Sequence, residues 1–251
     1  MIICGRFGAR FVCARRRAII LSLPDCDINT MQIDAESLSL AWLWACRLLA
    51  LLVAARAALG VDWKGMLRDP SAVHRFAACV VAMMVLWSIQ ATVARGPGLH
   101  ILGVTTVTLL LGPATALIAT LLAETVTSLT SNSDNAVAAS WLAGSVLPVL
   151  VTDGCRRVVR RYLPRDPFSF IFGCGFFGAA LAAGMAHLGA FLMVGGPDQI
   201  WSGAVPSAAG FLLLIAFPEA FINGCLVTLL VVYCPQNMAG YDAGYERRRR
   251  L

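Results

Sequence analysis

The residues best placed to do chemistry gather around one histidine. His100 follows a Gly-Pro-Gly turn, Gly96 to Gly98, and stands in a run of apolar and small residues, Leu99 to Leu111, that ends at a second break, Gly112-Pro113. An imidazole is a common metal ligand, and an ionisable group among so many apolar ones is a functional candidate by default. His100 is therefore read as a metal ligand, with a hydrogen-bonded structural role as the alternative. Gln90, a short way upstream, can line the same cavity. Glu219 and Asn223 stand four apart and so share one helix face. Pro218 beside them frees a backbone carbonyl. Their carboxylate and amide could bind a ligand, carry a proton or clamp two helices together, and the clamp is the preferred reading.

The remaining polar groups make weaker cases. His187 lies in an apolar stretch, Gly184 to Ala190, where hydrogen bonding between helices is the simpler expectation. His74 is interfacial, and Glu124 is a second carboxylate inside an apolar run. The nine cysteines form no C-x-x-C pair and no zinc-finger spacing, so they are read as small apolar filler. No G-x-S-x-G, H-E-x-x-H or G-x-x-x-x-G-K-[ST] motif occurs, so no catalytic set emerges and the chain is not expected to be an enzyme. Without a phosphate-cradling loop, it is not expected to hydrolyse ATP.

The elements that position these residues must lie in a membrane. The chain has 251 residues, 59% hydrophobic and 14% charged, whereas a soluble domain carries about a quarter charged residues. The net charge of +6 comes from arginines clustered beside apolar segments, where the positive-inside rule puts them, and does not imply nucleic acid. The expected fold is all-α and polytopic, with about seven transmembrane helices and a short internal third one. The spans are Leu38–Leu59, Ala77–Ala94, Leu99–Leu111, Ala114–Leu129, Ala136–Val151, Phe168–Val194 and Ala208–Tyr233, the last interrupted by Pro218. Leu99–Leu111 reaches only about 20 Å as a helix, too short for a full crossing. Arg47, inside the first span, must face protein or snorkel. Ala50, Ala54 and Ala58 form a small-residue stripe on the same span, the kind of surface another helix can approach closely.

Charge decides the topology. If the chain doubles back at Gly112-Pro113, one side collects Arg56, Lys64, Arg68, Arg75, the five arginines from Arg156 to Arg165 and the four from Arg247 to Arg250. That is thirteen cations against Arg95 alone, residues 1–30 aside. The rule then places the C-terminus in the cytoplasm and the His100 turn outside. Residues 1–30 hold five arginines and an apolar patch too short to span, and are read as a disordered or mis-annotated extension. Residues 31–235 are expected to form the transmembrane domain and 236–251 a basic cytoplasmic tail.

Gln90, the glycine turn, His100-Ile101-Leu102-Gly103 and Leu110-Leu111-Gly112-Pro113 follow one another in an order that resembles the substrate-binding permease of cobalt/nickel energy-coupling-factor transporters, the CbiM/NikM type. The ending around Pro218-Glu219 is similar to a divergent proteobacterial branch. The resemblance implies a multi-pass protein of the bacterial inner membrane that takes up Co(II) or Ni(II) as substrate and holds no permanent cofactor. It implies partners: a transmembrane coupling subunit, docked on the stripe of Ala50, Ala54 and Ala58, and ABC-type ATPases. It also implies a site built from the free amine and backbone of the first two residues, the second residue's side chain and the histidine after the turn. Here those are Met31, Gln32 and His100. The family has histidine where this chain has Gln32, and an amide is a weak oxygen donor beside an imidazole. A scaffold or regulator of the same fold that has lost metal binding is the alternative.

Overall fold

The computed structural model describes residues 38–88, 102–131, 136–201, 204–239 and 241, with the backbone alone for 130–131, 194–201 and 204–215. Eight helices carry these residues, and no strand occurs among them. Helix α1 is Leu40–Gly60, opened by the Ser39 hydroxyl, which accepts from the Trp42 N–H at 3.3 Å. Short α2, Trp63–Arg68, is capped by Asp62 accepting from the Gly65 N–H at 3.0 Å. Helix α3, Pro70–Ser88, begins on a proline, whose missing N–H costs nothing there. Before it, Asp69 accepts from the Ser71 hydroxyl and backbone, and that hydrogen bond leads the effects that hold its carboxyl below the usual range. Then come α4, Val104–Leu111, and α5, Pro113–Ser131. Helix α6 is Val137–Tyr162, α7 is 167–201 and α8 is Ala204–Tyr233, followed by one tight turn, Pro235–Asn237.

Helix α4 is the centre of the bundle. Its residues from Val104 to Leu109 are all buried, the three threonines included. Helices α3, α5, α6, α7 and α8 surround it, while α1 stands outside against α5 and the start of α6. Five helical stretches are long and apolar enough to cross a membrane, in α1, α3, α6, α7 and α8, and α5 adds a shorter apolar one, Pro113–Leu129. With α4 as the internal short helix, the polytopic all-α architecture expected from hydropathy is present.

The chain reverses at Gly112-Pro113. Contacts at one end of the bundle establish this. The Leu110 carbonyl accepts from the Ala239 N–H at 3.2 Å. Gly60, closing α1, lies so near Ala114 that a Cβ on it would come within 3.3 Å of the alanine Cβ. Arg75 Nη1 donates to Asn237 Oδ1 at 3.2 Å. The Phe170 ring meets Tyr241 edge-on, 5.2 Å between centroids. The turn after α4, the α1–α3 connector, the α6–α7 connector and the residues after α8 therefore share one end. Lys64, Arg68, Arg75 and the arginines from Arg156 to Arg165 all belong to it, as the charge count requires.

Several boundaries differ from the hydropathy reading. Helix α6 does not stop at Val151 but continues through Arg156–Arg161 to Tyr162. Buried Asp153 receives Arg156 at 2.6 Å and also pairs with Arg157, so charges that lower the hydropathy are neutralised along one helix face. Helix α3 starts at Pro70, seven residues before the apolar run, and α8 passes through Pro218 without breaking. Proline does act on α6. Pro148 has no N–H to offer the fourth residue back, and just ahead of it the ladder slips to a π-turn at Leu142–Val146, where the Leu147 N–H reaches the Leu142 carbonyl.

Gly112 sits at φ 82°, ψ 160°, a region that essentially glycine alone visits. A Cβ there would meet nothing closer than Ala239 at 3.7 Å, an ordinary contact. Gly112→Ala should thus cost about 1–3 kcal/mol from backbone strain alone. Thermal unfolding in detergent should show a lowered midpoint, and an unchanged midpoint would mean the reversal does not need this conformation.

Candidate functional site

A helix leaves its first N–H groups without intrahelical partners, and in a membrane no water can take them up. Helix α4 meets this problem in an acute form. It starts inside the bundle, and its N-cap is Gly103, at φ 66° and with no side chain to cap with. The missing acceptors come from α8. Glu219 Oε2 accepts from the Leu102 N–H and Oε1 from the Gly103 N–H, each at 2.8 Å. One turn on, Asn223 Oδ1 accepts from the Thr106 N–H at 3.0 Å and from its hydroxyl at 2.6 Å. Asn223 Nδ2 donates to Glu219 Oε1 at 2.7 Å and to the Glu219 carbonyl at 2.9 Å, locking the two side chains together. From the other side, Trp87 Nε1 donates to the Leu102 carbonyl at 3.1 Å.

The electrostatics suit this arrangement. A carboxylate at a helix N-terminus is favoured by the exposed N–H groups and by the dipole, by about 0.3–1 kcal/mol at a surface and up to ~2 when partly buried. Hydrogen bonds to a charged group contribute about 1.5–3 kcal/mol each. Glu219 and Asn223 are 3% and 0% exposed, so losing either strands backbone donors that have nowhere else to turn. Of the readings open for this pair, the geometry realises the clamp. The shared face expected from their spacing is the face that meets α4.

The clamp ends two residues after His100. His100 itself, Gln90, Met31 and Gln32 lie outside the described residues. The other candidates are dispersed. His187 is buried and its Nδ1 bonds the Ala183 carbonyl at 2.8 Å, within its own helix and not between helices as expected. Its Nε2 has no partner among the described residues. Glu219 and His187 bond different groups, so they do not form an acid–base pair. His74 Nδ1 is held by the Pro70 carbonyl at 2.6 Å on an exposed turn. Among the described residues no three His, Cys, Asp or Glu side chains gather as a metal-holding group.

Two of the three stripe alanines face inward. Ala50 is buried and Ala54 packs on the core, beside buried Cys46 and Ala57, against α5 and the start of α6. The close approach that small residues permit is used between helices of this chain, and the outward side of α1 carries leucines and tryptophans instead. Sequence reasoning passed over Trp87 and the α4 threonines, of which Thr105 also bonds Thr152 of α6 at 3.2 Å. Three threonines within an eight-residue apolar helix were the available signal.

Known proteins bear on this frame. A family model described as the cobalt uptake substrate-specific transmembrane region, CbiM, matches residues 32–237. A solved structure described as a truncated transition metal transporter is similar over 80% of this chain and 98% of its own, with a TM-score of 0.67 and 19% sequence identity, and thus shares the fold. No curated protein matches significantly.

Replacing Asn223 with leucine removes the acceptor of both Thr106 donors and the donor to Glu219. Asn223→Leu and Glu219→Ala should each destabilise the detergent-solubilised protein, by about 1.5–3 kcal/mol or more. The double variant should lose less than the sum, because the two side chains act as a unit. Additive losses, read from thermal midpoints, would show that they do not.

Proposed function

The chain belongs to the CbiM family of cobalt uptake substrate-specific transmembrane regions, and from that premise we propose that it is the substrate-binding component of an energy-coupling-factor transporter for cobalt or nickel. The observation that carries the reading is the extent of the family match, which takes in the whole block from Gln90 through His100 to Pro113. Its role in transition-metal uptake follows from the family; the choice of metal, the partners and the orientation are the proposal. The ion enters on the side away from the arginine-rich end. Met31, Gln32 and His100 supply its donors, with Met31 as the first residue so that its amine is free. Nitrogen donors suit Co(II) and Ni(II). Beyond holding α4, the Glu219–Asn223 clamp fixes Leu102 and Gly103, the second and third residues after His100. ATPases and a coupling subunit supply the energy, since this sequence holds no nucleotide-binding loop. The C-terminus and the arginine-rich end face the cytoplasm of a bacterial inner membrane.

Gln32 favours one second reading. With an amide where the family has imidazole, the protein could keep the fold and the partners but act as a scaffold that binds no metal.

Uptake of radioactive cobalt and nickel at limiting concentration separates the two. Cells with the gene should accumulate more metal than cells without it, and His100→Ala should abolish the difference. Gln32→His should tighten binding. Equal uptake with and without the gene would favour the scaffold. A cysteine introduced beside Arg160 should react with a membrane-impermeant thiol reagent only in inverted vesicles. Labelling in intact cells would reverse the orientation.

A further inference from the structure

Arg47 lies exposed on the outward side of α1, seven residues from the helix start and thus about 10 Å along its axis. An arginine that far into a membrane helix costs up to about 3 kcal/mol on insertion scales. The described chain offers it one contact, the Trp44 ring, 5.2 Å from the guanidinium carbon to the centroid. The five N–H donors of a guanidinium want acceptors that a ring face does not provide. Arg56 on the same helix is different. It sits near the arginine-rich end, where its Nη1 would come within 3.7 Å of a Cβ on Gly60.

The residues around Arg47 form a seam. Leu40, Trp44, Arg47 and Leu51 are spaced four, three and four apart, the repeat that interlocks two helices side by side. All four are exposed, and Leu48 widens the same stripe. The carboxylates described within the bundle cannot serve the cation. Among the described residues Glu124, Asp153 and Glu219 are all buried, and the last two already have partners. A second copy would bring the same buried acids.

We propose that the Leu40–Trp44–Arg47–Leu51 face of α1 binds a transmembrane helix of another subunit, one that presents an aspartate or glutamate to Arg47. The inference rests on the multi-subunit reading above and names the surface on which it acts. A carboxylate opposite Arg47 accepts two parallel N–H bonds and leaves Trp44 stacked on the guanidinium plane. The leucines then pack as knobs along the rest of the seam.

The test is made in membranes that hold the full chain with the proteins encoded beside it. A photoreactive residue at Leu51 should crosslink to a membrane segment that carries Asp or Glu. Arg47→Leu, which makes α1 more apolar and should insert normally, is expected to reduce that adduct and the co-purified subunit by roughly thirtyfold or more, as for removal of one partner of a desolvated charge pair. Arg47→Lys should retain part of both, and Arg47→Glu should be rescued by Arg or Lys at the crosslinked acid. Adducts with lipid alone would mean that Arg47 merely snorkels. Adducts with a second copy, or a complex untouched by Arg47→Leu, would equally overturn the proposal. A complex that forms but never crosslinks through α1 sinks this inference and spares the transporter reading, whereas no complex at all sinks both.

Discussion

A short helix that begins in the middle of a membrane bundle cannot leave its first N–H groups bare. That constraint organises this protein. Helix α4 is too short to reach both membrane surfaces, so its N-terminal donors open inside the protein, where acceptors must be built. Glu219 and Asn223 of α8 are those acceptors, and the carboxylate also meets the positive end of the helix. The opposite end is held by the same segment of chain. After α8 closes, the Ala239 N–H takes up the Leu110 carbonyl. Helix α4 is thus gripped at its start by α8 and at its end by the residues that follow α8, and it runs alongside the second half of that helix. The reversal at Gly112 is possible because its left-handed backbone lets the chain leave this grip and return as α5.

The other helices solve smaller versions of the same problem. Thr105 and Thr152 satisfy each other across the α4–α6 contact, and Trp141 donates to Thr120 across the α5–α6 contact at 3.2 Å. Asp153 is buried, yet it sits within one turn of two arginines on its own helix, so its charge is met without help from lipid or water. Where a backbone donor is missing, as at Pro148, the ladder shifts by one residue and remains helical. The threonine, tryptophan, glutamate and asparagine groups at these contacts therefore hold helices together, while Asp153 is answered within its own helix.

This explains which features the sequence disclosed. The reversal at Gly112-Pro113 was legible because it alone brings the cationic connectors to one side, and charge distribution survives in a linear sequence. The Glu219–Asn223 pair was legible as a shared helix face through its four-residue spacing. What the pair holds was not. Its partners Leu102, Gly103 and Thr106 lie more than a hundred residues away, and a backbone N–H leaves no trace in residue type. The end of α6 was hidden because hydropathy falls at Arg156, while the pairing that lets the helix continue depends on Asp153 pointing along the same face. The stripe of Ala50, Ala54 and Ala58 announced a close helix contact but not its partner; Ala50 and Ala54 pack into the core of this chain, where α1 lies against α5 and the start of α6.

The same division of labour bears on where metal chemistry can reside. A buried carboxylate in a transport protein invites the view that it binds the cargo. Here Glu219 already accepts two backbone N–H groups and an amide, and a cation placed on it would have to displace the donors that begin α4. Among the described residues the remaining acids and imidazoles are scattered, each tied to its own helix or set apart from the others. Met31, Gln32 and His100, the donors proposed above, lie outside the described residues. Glu219 instead holds the Leu102 and Gly103 N–H groups, on the second and third residues after His100, and so fixes where α4 begins.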